Sequence, residues 1–258
     1  MTRFDIHRRA VAGLLLATAC GLAAAQPATP RSYAVLSEFA REINVVTFQE
    51  STGTRLNNNL RTSMPMPNGA LDKVALVATR TAVQKAEPGA GLWLIAPLDT
   101  DLFPPTQVFS EGTVLKLPED VAGEMKKRGH THLLLLTRLR AEAELKALRS
   151  SEGTGPLEGL GFFVDRVTAG RNADTGQFST GFLAPYMHAR VILVDAASGR
   201  VVGIQRIKHS VVYSTARAEI KSTDAWDVMK PDEKVRYLAN MIEREIGTAV
   251  PALLNATR

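Results

Sequence analysis

The chain has 258 residues, 45% hydrophobic and 22% charged, with 31 basic and 26 acidic side chains and a formal net charge of +5. Residues 1–25 hold Arg3, Arg8, Arg9 and Asp5, so the rest keeps a net charge near +3, too small to argue for nucleic acid, where a clustered basic face is expected. One cysteine excludes a disulfide framework, and some 230 residues can bury a sizeable core as one large domain or two small ones.

The first segment has the three parts of a secretory leader. Arg3, Arg8 and Arg9 make a positive start, residues 10–25 are apolar, and Ala23, Ala24 and Ala25 offer a small-residue cleavage site before Gln26. The apolar run is shorter than the ~20 residues of a membrane span. Residues 1–25 are therefore expected to be removed, leaving one domain over 26–258 in the periplasm and no cysteine in the exported product. The alternative is an outer-membrane lipoprotein anchored at Cys20, which follows the small residues Ala17, Thr18 and Ala19 but lacks a Leu at position 17.

Two β-rich runs, 33–36 and 43–48, flank a charged stretch and predict a hairpin. A polar loop follows over 50–69, long for a compact domain. Leu71, Val74, Ala75, Ala78, Ala82 and Val83 then recur with helical period, and Pro88 and Gly89 stop them. Residues 91–96 read as a short buried strand. Pro118, Glu119 and Asp120 open a second helix and Lys126, Lys127 and Arg128 close it before Gly129. Residues 131–145 predict one long strand, apolar on both faces at 133–136 and alternating afterwards. Residues 150–181 hold seven glycines interleaved with phenylalanines and read as an excursion between two sheet strands. Residues 182–195 and 200–213 predict a hairpin, and Pro231, Asp232 and Glu233 open a last helix striped by Val235, Leu238, Ala239, Ile242, Ile246, Ala249 and Val250. The order predicts an α+β fold: a mixed, largely antiparallel sheet with helices packed mainly on one face.

Candidate chemistry is sparse. His130 and His132 open a strand at a spacing that would place both on one side, where they could ligate a metal, although no acid lies within six residues after them. No Gly-x-Ser-x-Gly elbow, no phosphate loop and no acid–base pair stands out, so no catalytic residue, metal or cofactor is expected. The excursion is the strongest feature. Phe162, Phe163, Phe178, Phe182 and Tyr186 supply large contact area in a glycine-rich setting. They read either as a cap that completes the core or as an exposed patch for an envelope protein or a membrane surface.

The helix–strand–helix–strand order, with the hairpin Leu193-Val194-Asp195-Ala-Ala-Ser-Gly199-Arg200-Val201-Val202, resembles the α/β domain of curli-secretion-type lipoproteins and the N-terminal domain of the Tol-system translocation protein B. The resemblance covers about half of the chain and implies an envelope assembly or binding role without catalytic residues. The expectation is an exported, non-enzymatic binding module. The alternative is a periplasmic hydrolase or metal-dependent enzyme, which His130, His132 and an acid converging in a cleft would favour. Oligomeric state is left open by the sequence.

Overall fold

Helical periodicity becomes helix where the sequence expects it. In the computed structural model, which describes residues 30–49, 59–96, 102–103, 107–147, 150–152, 155–171, 176, 178–215 and 224–257, the stripe Leu71, Ala75, Ala78, Ala82 and Val83 is the buried side of α1 (Ala70–Ala86). Helix α2 (Glu119–Arg128) carries acids in its first turn and bases in its last, each opposite in sign to the helix end it occupies, and Gly129 ends it at φ 72°. Helix α3 (Pro231–Ala256) starts on Pro231, with the Lys230 N–H donating to the Glu233 carboxylate at 3.0 Å. It buries Leu238, Ile242, Ile246, Val250 and Leu253 and runs past Pro251. The expected leader, with Cys20, Ala25 and Gln26, lies outside the described residues.

Twelve strands are described: β1 (Ser32–Ser37), β2 (Glu42–Thr47), β3 (Leu60–Pro65), β4 (Gly91–Leu94), β5 (His132–Arg138), β6 (Arg140–Glu142), β7 (Leu145–Ala147), β8 (Ser150–Glu152), β9 (Pro156–Arg171), β10 (Phe178–Asp195), β11 (Val201–Ser210) and β12 (Tyr213–Ser214). Ten join one mixed sheet along β3-β2-β9-β10-β5-β1-β4, with β11 and β12 also on β10 and β6 on β9; β7 and β8 pair separately. Strand β10 organises the whole. Its first part, Phe178 to His188, runs antiparallel to β9, and from Ala189 to Asp195 it runs antiparallel to β5. One strand thus joins two half-sheets, β3-β2-β9 and β5-β1-β4.

Side-chain alternation along these strands sorts the core into layers. Tyr33, Val35, Leu134, Leu136, Val191 and Leu193 pack with α1 and α3. Ala34, Leu36, Leu133, Leu135, Ile192 and Val194 take the other face, with Val121 and Met125 of α2. Further along that second face, Phe163, Phe182, Ala184 and Tyr186 meet Val46, Ala143, Leu145 and Leu157. The architecture is α+β, with two of three helices on one face.

Three sequence expectations are corrected. The runs at 33–36 and 43–48 form β1 and β2, but they do not pair: β1 runs parallel to β4 and β5, and β2 pairs with β3 and β9. Between them Phe39 and Ala40 are buried and cross the interior, a tertiary arrangement invisible to local pattern. The long strand over 131–145 breaks at Leu139, whose N–H donates to the His188 carbonyl at 3.0 Å; there β9 takes over beside β10. The glycine-rich segment over 150–181 does run between strands, but most of it is itself strand, as β9 and the start of β10. Helix α3 packs over Leu134 and Leu136 of β5, while Leu133 and Leu135 face α2.

Candidate functional site

The described apolar concavity opens where β2, β3 and the start of α3 meet. It has a volume of about 270 Å³ and is lined by Ile43, Met64, Met66, Phe162, Trp226, Pro231, Lys234 and Val235. Register explains how the sheet side is built. Ile43 lies opposite Met64 on β3, while Val45, the next residue on the same face, lies opposite Phe162 on β9. The other wall is the 3₁₀ turn Ala225–Val228 and the first turn of α3. The Asp224 carboxylate accepts the Trp226 N–H at 2.9 Å and pairs with Arg166 at 3.0 Å, so the turn that carries Trp226 is tied to β9. The Phe162 and Trp226 rings meet edge to face at 5.6 Å and 82°, the arrangement aromatic quadrupoles favour.

Lys234 closes the groove. It is buried; its ammonium donates to the Met229 carbonyl at 2.6 Å and lies 4.2 Å from the Trp226 ring centroid, a cation–π contact. Burial lowers its pKa, and Asp227, Glu233 and Asp224 oppose that shift. At the rim, Met64 and Val235 stay 39% and 40% exposed. The result is an apolar trough with an aromatic floor, two flexible thioethers and one bound cation. It can hold an apolar side chain or segment.

The five expected surface aromatics separate. Phe162 is the floor of this groove. Phe163 points to the opposite face and stacks on Phe182 at 6.0 Å and 25°. Tyr186 is fully buried, with its hydroxyl donating to the Glu158 carbonyl at 3.3 Å, and burial raises its pKa. An exposed patch of all five is therefore corrected. The β pleat sends Phe163, Phe182 and Tyr186 into the third core cluster, so for them the core-completing reading holds. Phe178 alone is exposed, at 80%. It sits where β9 and β10 extend past β2 and β12. At the base of that extension the Asp165 carboxylate accepts the N–H groups of Val167 and Thr168 at 2.7 and 2.8 Å. Gly181 is needed there: its φ is 85°, and a Cβ would lie 2.4 Å from the Asp165 carbonyl.

His130 and His132 also part company. His132 belongs to β5 and its ring lies 5.8 Å from Tyr33. His130 precedes the strand, accepts or donates at Nδ1 to Ser32 Oγ at 2.7 Å and stacks on Trp93 at 5.8 Å and 13°, with Arg128 over the same indole. Burial lowers both imidazole pKa values. Extended alternation does not hold through Thr131, so the shared side expected for a metal pair is not formed. Among the described residues no three His, Cys, Asp or Glu side chains group to hold a metal. Ser32 and His130 make a serine–imidazole contact, and the described contacts of His130 include no acid to orient it.

Sequence reasoning missed Met64, Met66 and Trp226. Met66 lay in the polar loop and Trp226 in a polar stretch; the β2–β3 ladder brings the methionines to Phe162, and the turn held to β9 through Asp224 and Arg166 brings Trp226.

No family model and no curated protein matches the chain. Solved structures give weak likenesses. A neuraminyllactose-binding hemagglutinin homologue from Helicobacter pylori has 8% identity and a TM-score of 0.39, covering 88% of each chain. PelC from Paraburkholderia phytofirmans, a dodecamer, has 12% identity and a TM-score of 0.32, covering 88% of this chain and 92% of that one. A Xanthomonas campestris protein of the family DUF330 has 10% identity and a TM-score of 0.31, covering 90% and 94%. None of the three is a curli-secretion or Tol-system protein, and at these scores none carries an argument about function.

Proposed function

We propose that the protein is an exported, non-enzymatic binding module of the cell envelope, and that the groove over Phe162 and Trp226 is where its partner docks. The observation that carries this reading is the groove itself, almost wholly apolar and left open with Met64 and Val235 at its rim. Exposed apolar surface is costly in water and marks interaction sites, and methionines adapt to varied apolar partners. Export rests on the composition of residues 1–25. The partner is an envelope protein presenting an apolar segment; a membrane surface fits less well, since a concave site suits an inserted side chain better than a flat one.

The test is a photoreactive residue at position 64 in cells, with position 77 as control, because Val77 is also exposed, at 46%, but lies on α1 away from the groove. Light should yield a discrete protein adduct from position 64 that Phe162→Ala weakens and that position 77 does not give. Equal labelling from both positions, or adducts to lipid alone, would overturn the reading.

A further inference from the structure

We propose that β3 is a self-association edge: two copies of this chain join their sheets by antiparallel pairing of β3 with β3 about Thr62. Strand β3 ends the sheet order, and among the described residues only β2 pairs with it. All six of its residues are exposed. Such an edge is a template for another strand.

The backbone shows which groups are available. The Met66 N–H donates to the Arg41 carbonyl at 2.7 Å, and the β2–β3 register has no shift. By alternation Met64, Thr62 and Leu60 turn their main-chain groups to β2, while Arg61, Ser63 and Pro65 turn theirs outward. Pro65, which has no N–H, faces out, where an edge tolerates it. Among the described residues no strand pairs with Arg61 and Ser63 on that side. Their side chains are held back on the sheet, Arg61 donating to the Pro156 carbonyl at 2.6 Å and Ser63 to Asn44 Oδ1 at 2.8 Å.

A two-fold axis through Thr62 makes these features self-complementary. Arg61 of each copy would exchange two main-chain hydrogen bonds with Ser63 of the other. Leu60, 56% exposed, would lie opposite the partner's Met64, 39% exposed, on the face that carries α1 and α3. Each exposed apolar side chain on the strand is thereby covered by the other, twice per dimer, and the two Arg61 residues do not oppose one another. A register displaced by two residues in either direction loses both the Arg61–Ser63 exchange and the Leu60–Met64 contact. The contact repeats one patch on both subunits, as a closed two-fold dimer requires. One short strand pair is smaller than the ~1,600 Å² of a standard interface, so dissociation in the micromolar range is expected. The edge borders the groove at Met64, so a position-64 adduct to a second copy of this chain reports the edge, and an adduct to a different protein reports the groove.

Thr62 pairs with its own copy at a non-hydrogen-bonded position, where opposed Cα atoms lie ~4.5 Å apart, within reach of a disulfide. The chain has one cysteine, so Cys20→Ser supplies a thiol-free background. In it, at about 100 µM protein under mild oxidation, Thr62→Cys should form a covalent dimer. Leu60→Cys and Met64→Cys should each stay monomeric alone and cross-link when mixed. Sedimentation of the unmodified chain should show a monomer–dimer equilibrium that Ser63→Pro shifts at least tenfold toward monomer. A Thr62→Cys protein that oxidises no faster than Val77→Cys overturns the proposal, as does Leu60→Cys dimerising unaided.

Discussion

Phe163 and Phe178 belong to one sequence feature and should behave in opposite ways. Phe163 is fully buried, stacked on Phe182 at 6.0 Å and near Phe48 at 6.4 Å. Truncating it to Ala removes about 1.5–3 kcal/mol of burial, about 0.5–1.5 kcal/mol of ring pairing, and leaves a cavity under the sheet. The total falls in the range of about 3–5 kcal/mol seen for such changes. Phe178 is 80% exposed, and Phe178→Ser should cost less than about 0.5 kcal/mol. Urea titration followed by circular dichroism measures both. In a domain of this size Phe163→Ala should also lower Tm by roughly 6–20 °C. The layer assignment fails if Phe163→Ala costs under about 1 kcal/mol, or if Phe178→Ser costs more than about 2 kcal/mol.

Ile242→Ala, in the fully buried stripe of α3, should cost about 2–5 kcal/mol in the same titration. Asp72 is fully buried; its Oδ1 accepts from Ser37 and from the Ala40 N–H, while Oδ2 has no hydrogen-bond partner among the described residues, and burial raises its pKa against the hydrogen bonds and Arg41 that lower it. A carboxyl raised in the folded state contributes its full stability below the ordinary Asp range and loses it as pH rises through the raised value. Asp72→Asn should therefore gain stability over the parent at pH 8 and lose that advantage toward pH 4; an advantage that grows on acidification would contradict the burial argument. Export predicts that N-terminal sequencing of the product from cells finds Gln26, and a soluble product beginning at Met1 or Thr2 would rule cleavage out.

How legible each part was depended on the range of the interaction behind it. The stripe of α3 and the turn at Asp195 and Gly199 were readable because their partners lie a few residues away. Leu133 to Leu136 announced a strand covered on both faces, and both faces are covered, although alternation alone did not say which helix took which. The pairing of β1 was unreadable, because its parallel partners start at Gly91 and His132 and leave no local trace. The aromatics at 162, 163, 182 and 186 carried the right type of residue for either a surface or a core; only the pleat of β9 and β10 decides. Trp226 and Met66 became part of a groove through three separate chain segments, none of which shows a motif.

The sharing of β10 between two half-sheets has a kinetic consequence. Strands β9, β10 and β11 are joined by short connections and can zip together as local hairpins. Strand β1, made first, is an interior strand whose two neighbours come from far along the chain. Long-range pairings form slowly, because their loop-closure entropy must be overcome before contacts reward them. The half-sheet β5-β1-β4 should thus close last, with β10 already seated as its template. Until it does, β1 and β5 present two apolar edges to the solvent, which makes this half of the molecule the one most dependent on protection from aggregation while the chain is still incomplete.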